Sequence, residues 1–203
     1  MKQNIFFINK RLLQEYIDKY ANPNRTLDQE IIMGLNALKF WEKKLNLELV
    51  LVFEVNNKSH SYPSYFFPTT EQLKEIFDKY ILIDTPVDFA LAPADDIKKY
   101  NAYAFPFQVK TIPLEPTDDL DEVLSDFISE KANKYRDINL TLIINPQLRC
   151  DINAEKKLFS IDKLKELLTI REDAVRAVYL FQESSDSVNF LQIWVSPLIK
   201  DNN

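Results

Sequence analysis

An aspartate, a glutamine and a lysine stand in the middle of the chain, within a stretch that otherwise favours β-structure. Asp88 falls in a predicted strand over residues 81–92, and Gln108 and Lys110 fall in the next, over 102–112. A hairpin-like loop joins the two. Side chains two residues apart share a strand face, and neighbouring strands lie about 4.8 Å apart. With the right register, we therefore expect the three side chains to converge.

The three side chains together suit the hydrolysis of a phosphodiester. Carboxylate and amide oxygens are ligands for Mg²⁺, a hard cation that keeps several of its waters. Such an ion polarises the phosphodiester and acidifies a water molecule. A neighbouring lysine orients that water or stabilises the charge that develops on the phosphate. The alternative is that Gln108 and Lys110 lie on a solvated sheet face and that Asp88 pairs with a surface lysine.

This arrangement resembles the PD-(D/E)XK nuclease superfamily, and more narrowly its branch in which glutamine replaces the second acidic residue, as in Mrr-like restriction endonucleases. The residues that carry the resemblance are Pro86, Asp88, Gln108 and Lys110. The order of predicted elements over residues 26–145 is also similar: a long helix, strands, the Q-x-K strand, an amphipathic helix and a buried strand.

The resemblance implies a metal-dependent deoxyribonuclease of restriction or defence. Asp88 and Gln108 would bind Mg²⁺ or Mn²⁺, and Lys110 would be the catalytic lysine. The family often adds a glutamate from the preceding long helix. Glu30 is the candidate for this further metal ligand and catalytic residue, and Glu42 is the alternative.

The choice of Glu30 rests on its neighbours along the helix. Glu30 shares a stripe with Gly34, Ala37 and Trp41, and the small residues of that stripe permit a close approach to the sheet.

The elements that must position these residues follow from hydrophobic periodicity. Helices are predicted over 10–20, from Thr26 along a stripe that ends at Leu45, over 70–80, 118–135 and 161–170, with a short helical piece near 172–175. Further strands are predicted over 47–55, 139–145, 177–182 and 189–195, the last two joined by a turn at 184–187. The expected fold is α/β, a restriction-endonuclease-like mixed central sheet of about six strands flanked by helices.

The length of the chain predicts a single domain. Its 203 residues are 46% hydrophobic, which is enough for one continuous core. The nuclease-like core would span residues 26–145, and a helix with a β-hairpin would extend it over 146–200. The first apolar run, at residues 5–8, is too short for the core of a signal peptide.

Residues that occur only once exclude several classes of site. The single glycine, Gly34, excludes glycine-rich phosphate loops and nucleophile elbows. The single histidine, His60, excludes multi-histidine metal sites. The single cysteine, Cys150, cannot form an internal disulfide, which predicts a cytoplasmic location.

The net charge of the chain indicates which binding partners to expect. A net charge of −6 is unusual for a dedicated DNA-binding module and favours the alternative function, a non-catalytic interaction domain or an inactive nuclease-like fold. If the chain is an enzyme, DNA is the expected partner, with specificity supplied by inserted loops, a homodimer or another subunit. The lack of a long apolar run predicts no membrane partner. An acidic run at residues 118–122 could bind a cation, but helix-cap chemistry explains it better.

Overall fold

The computed structural model describes residues 5–8, 10–22, 26–54, 87–94, 105–115, 119–148, 159–183 and 188–199. These residues form four helices and seven strands. The chain divides into two compact units, Met1–Phe107 and Gln108–Asn203. Residue 145, where the predicted core ends, lies inside a strand of the second unit.

The first unit is an antiparallel sheet with two helices. Its strands pair in the order β1, β2, β3, β4, and each pair is antiparallel. The elements are β1 (Ile5–Ile8), α1 (Lys10–Tyr20), α2 (Thr26–Leu45), β2 (Leu49–Glu54), β3 (Phe89–Pro93) and the beginning of β4 (Phe105–Leu114).

The core of the first unit lies between α2 and the strands β2 and β3. The helix repeats apolar residues at a spacing of three or four, so that one face is apolar. Its buried members are Ile31, Met33, Leu35, Ala37 and Leu38, and the buried members of the two strands are Leu49, Leu51, Phe89, Ala90, Leu91 and Ala92. Leu45, which the sequence predicts on the inward stripe, is instead 48% exposed, because the helix ends there.

The second unit mixes parallel and antiparallel pairing. β5 and β6 are parallel and are joined through a helix, the kind of crossover that parallel neighbours require. β6 and β7 form an antiparallel pair. The elements after β4 are α3 (Leu120–Asn133), β5 (Asp137–Leu148), α4 (Ile161–Leu167), β6 (Val175–Glu183) and β7 (Val188–Val195).

α3 shows how the sequence builds this unit. Asp119 is its N-cap, and the Asp119 carboxylate accepts a hydrogen bond from the Glu122 N–H at 3.4 Å. The inward face of the helix carries Leu120, Leu124, Ile128 and Ala132, all buried. Strands β5 and β6 supply further fully buried residues, Leu140, Leu142, Ile143, Ile144, Val178 and Leu180.

The predicted mixed α/β class is confirmed, with some boundaries corrected. α4 ends at Leu167 rather than at residue 170, and residues 172–174 form a turn before β6 instead of a helical piece. β1 was not predicted as a strand. The predicted helix over 70–80, the strand residues 81–86 and the turn at 184–187 lie outside the described residues. None of the four helices described is long and apolar enough to span a membrane.

Candidate functional site

Asp88 lies immediately before β3, beside the beginning of β4. Its N–H donates a hydrogen bond to the Phe107 carbonyl at 3.0 Å. The register partner of Phe107 is Phe89, the residue after Asp88. Phe107 of β4 therefore pairs with two consecutive residues, Asp88 and Phe89, and this arrangement is typical of a β-bulge. A bulge changes the direction in which a side chain points at the end of a strand pair.

An aromatic stack fixes this end of the ladder. The Phe89 and Phe107 rings are stacked, with centroids 5.1 Å apart and an interplanar angle of 14°. The Trp41 indole of α2 meets the Phe107 ring edge-on, with centroids 5.2 Å apart. Such aromatic pairs add to the free energy gained by burial alone. The stack thus holds the two residues that flank the predicted site, one after Asp88 and one before Gln108.

Gln108 and Lys110 follow Phe107 along β4. Gln108 is 8% exposed, and Lys110 is half-buried. Alternation along the strand places these two side chains on the face opposite to that of Phe107. No residue that the structure describes forms an ion pair with Lys110. The Q-x-K pair is therefore in a strand, as predicted, and its amide is buried.

Glu30 lies in the first half of α2 and is half-buried. The stripe to which it belongs does face the strands, since Gly34 and Ala37 are buried and Trp41 contacts Phe107. Glu30 precedes Trp41 by about 16 Å along the helix axis. Its role as a further metal ligand stays a prediction.

Glu42, the alternative to Glu30, already has structural partners. Its carboxylate accepts hydrogen bonds from the Lys10 ammonium and, at 2.9 Å, from the Leu49 N–H. Glu42 thereby ties α1 and the first residue of β2 to the end of α2. We conclude that its carboxylate stabilises the junction of three elements.

The acidic run at the start of α3 acts as a helix cap and as an ion-pair partner. Lys163 of α4 lies 3.4 Å from a carboxylate oxygen of Asp119 and 3.5 Å from one of Asp121. The Glu122 N–H and then the Lys163 ammonium hold the pKa of Asp119 below its ordinary value. The cation that these carboxylates bind is thus a side chain of the same unit.

The side chains present can be compared with what a divalent cation requires. Among the described residues, no group of three or more His, Cys, Asp or Glu residues is placed to hold a metal ion. The predicted metal ligands include only two carboxylates, those of Asp88 and Glu30, and the third ligand is the amide oxygen of Gln108. Its donors are hard oxygens, which fit Mg²⁺ or Mn²⁺ bound largely through water.

The comparisons with known proteins give no match. No protein-family model matches the chain, and neither a curated protein nor a solved structure matches it. The function is therefore proposed from the residues of the chain and their positions.

Proposed function

We propose that the chain is a metal-dependent endonuclease that hydrolyses DNA phosphodiesters with Asp88, Gln108 and Lys110. One observation carries the proposal. The Asp88 N–H bonds to the Phe107 carbonyl, and Phe107 is the residue from which the Q-x-K segment continues. The carboxylate thus belongs to the backbone segment that is paired with the beginning of that strand, as the resemblance to PD-(D/E)XK nucleases requires.

Each side chain has a defined task in this proposal. The Asp88 carboxylate and the Gln108 amide oxygen would hold Mg²⁺ or Mn²⁺, with Glu30 as a further ligand. A bound metal ion would polarise the phosphodiester and lower the pKa of a water molecule. The Lys110 ammonium donates hydrogen bonds to a non-bridging phosphate oxygen and stabilises the charge that grows there. Lys110 is suited to this task because no described residue engages it in an ion pair.

Gln108 is buried, and in this proposal its amide oxygen is the ligand that stands beside the Asp88 carboxylate. An amide oxygen is a weaker ligand than a carboxylate, so we expect the cation to bind weakly in the absence of DNA. When DNA binds, phosphate oxygens would complete the coordination shell of the cation. A location in the cytoplasm is part of the proposal and fits the single cysteine.

The proposal is tested by cleavage of plasmid, linear and single-stranded DNA, with RNA and methylated DNA in parallel. We expect cleavage with Mg²⁺ or Mn²⁺, none with EDTA, and a loss of about 100-fold or more in Asp88→Ala and Lys110→Ala. Asp162→Ala and Lys165→Ala, exposed residues of α4, are matched controls that should cleave like the wild type.

A wild-type protein that is folded and leaves every substrate intact contradicts the proposal. That result would favour the alternative, an interaction domain or an inactive nuclease-like fold, which the net charge of −6 also favours.

A further inference from the structure

Two leucines are exposed where α2 ends and the chain turns into β2. Leu45 is 48% and Leu47 is 51% exposed, among the largest exposed apolar fractions in the described residues. Residues 43–48, which we call the leucine turn, are all exposed. Apolar residues that are exposed side by side in one patch mark surfaces that bind a partner, whereas single exposed apolar residues are ordinary.

The backbone of the leucine turn is well defined. Asn46, between the two leucines, has φ of 52°, the left-handed conformation that often ends a helix and that asparagine tolerates. The Glu48 carbonyl accepts a hydrogen bond from the Ala94 N–H at 3.0 Å, and the Leu49 N–H donates to Glu42. The two leucines are thus held outward by a turn that is anchored on both sides.

Local packing leaves Leu47 uncovered. After a left-handed residue, the next apolar side chain often packs on the preceding helical turn. Here that turn carries Glu42, whose carboxylate is engaged by Lys10 and by the Leu49 N–H. The same turn also carries the apolar Trp41, and Leu47 nevertheless stays 51% exposed.

The charges that flank the leucines along the sequence are opposite. Lys43 and Lys44 precede them, and Glu48 follows them. Neither Lys43 nor Glu48 forms an ion pair with a residue that the structure describes. Two lysines suit the negative end of a helix, but that role leaves the exposed leucines unexplained.

This pattern is complementary to itself. In a dimer with a two-fold axis, the leucine turn of one copy contacts the leucine turn of the other, and the two segments run in opposite directions. The lysines of one copy then face Glu48 of the other, and the four leucines meet between them. An anionic lipid surface is a poorer match, because Glu48 lies beside Leu47 and the whole chain carries −6.

We propose that the leucine turn is a self-association surface that joins two copies of this chain through Leu45 and Leu47, with Lys43 and Lys44 of each copy facing Glu48 of the other. The surface is small, so the dimer is weak and forms at high protein concentration. This inference is independent of the proposed nuclease activity.

The first test is sedimentation equilibrium of the full chain over a wide range of concentrations. We expect a monomer–dimer equilibrium in the wild type. Leu45→Ser/Leu47→Ser should raise the dissociation constant by about tenfold or more, since polar side chains replace buried apolar ones. Leu167→Ser/Leu198→Ser, at two other exposed leucines, should leave the dissociation constant unchanged. Circular dichroism checks that each variant is folded.

The second test exchanges the charges. Lys43→Glu/Lys44→Glu and Glu48→Lys should each self-associate more weakly than the wild type, because like charges then face each other. A mixture of the two variants should recover dimers, since each copy again meets the opposite charge.

Three results would overturn the inference. One is a wild type that stays monomeric at every concentration. Another is a dimer that survives the leucine substitutions. The third is binding to anionic phosphatidylglycerol vesicles that depends on Leu45 and Leu47 without any self-association, which would assign the turn to a lipid surface.

Discussion

Gln108 is the residue at which the proposed site differs most from the carboxylate-rich pattern of the PD-(D/E)XK nucleases that the chain resembles. Its side chain is buried, and in the proposed site a carboxylate at this position would bind a cation more strongly. Substitution to Glu supplies that carboxylate with nearly the same shape. Substitution to Leu keeps the volume and removes the oxygen donor.

We therefore predict opposite effects of the two substitutions. Gln108→Glu should cleave DNA at a lower Mn²⁺ concentration than the wild type. Gln108→Leu should lower the apparent Mn²⁺ affinity by about tenfold or more, because a direct ligand is lost. The measurement is the Mn²⁺ dependence of the cleavage rate. Equal Mn²⁺ dependence in the two variants would remove Gln108 from the site.

Carboxylates with a lowered pKa predict the behaviour of α3 in acid. The Glu122 N–H and Lys163 lower the pKa of Asp119, and hydrogen bonds from Lys134 and Lys131 lower the pKa of Glu130. A lowered pKa in the folded state contributes stability above the unfolded pKa. That stability is lost as the pH falls through the folded value.

Asp119→Asn/Glu130→Gln should therefore destabilise the protein at neutral pH and make little difference in acid. Asparagine keeps the capping oxygen, so the variant reports charge rather than the cap. Urea unfolding of both proteins should show a gap in the free energy of unfolding that closes below about pH 4. A gap that stays constant with pH would contradict the assignment.

At the scale of elements, α3 is held by its buried face. Leu124 and Ile128 are fully buried, whereas their neighbour Val123 is 38% exposed. Leu124→Ala should lower the free energy of unfolding by roughly 2–5 kcal/mol, because it leaves a cavity. Val123→Ala should change it by about 0.5 kcal/mol or less. Thermal unfolding measures both, and equal effects would show that the buried face is misassigned.

The sequence predicts the long helices and most strands, because their apolar residues recur with a clear period. It does not predict β1, since four apolar residues fit a strand and a buried helical turn equally well. It also extends α4 too far. Leu168 has an extended backbone, with ψ of 128°, because two residues of α3 hold the backbone of the next residue, Thr169. The Thr169 N–H donates to the Ser129 hydroxyl at 3.0 Å, and the Thr169 carbonyl accepts from the Asn133 amide at 2.8 Å.

The candidate site is predictable in part for a similar reason. Alternation along one strand is a local property, so Gln108 and Lys110 could be placed on one face from the sequence. The approach of Asp88 to Phe107 depends on the register between two segments and on an irregular ladder, which the residue pattern alone does not determine. The Trp41–Phe107 contact, between residues far apart in the chain, likewise required the fold.

At the scale of the whole molecule, the net charge of −6 opposes DNA binding. A divalent cation at the site would offset that repulsion locally. We predict that labelled duplex DNA binds about tenfold more tightly in Ca²⁺, chosen as a cation expected to support binding without cleavage, than in EDTA. Fluorescence anisotropy measures this difference. Equally tight binding in EDTA would mean that DNA is held elsewhere on the protein.

The claim that Asp88 holds a divalent cation is tested most directly by Mn²⁺ binding to the purified protein, followed by electron paramagnetic resonance. Trace nucleases in a preparation can cleave DNA, but they cannot place Mn²⁺ on Asp88. We predict saturable but weak Mn²⁺ binding in the wild type and in Asp162→Ala that DNA strengthens, displacement by Mg²⁺, and loss of binding in Asp88→Ala. Binding that is unchanged in Asp88→Ala, or absent from the folded wild type with and without DNA, would contradict the proposed site.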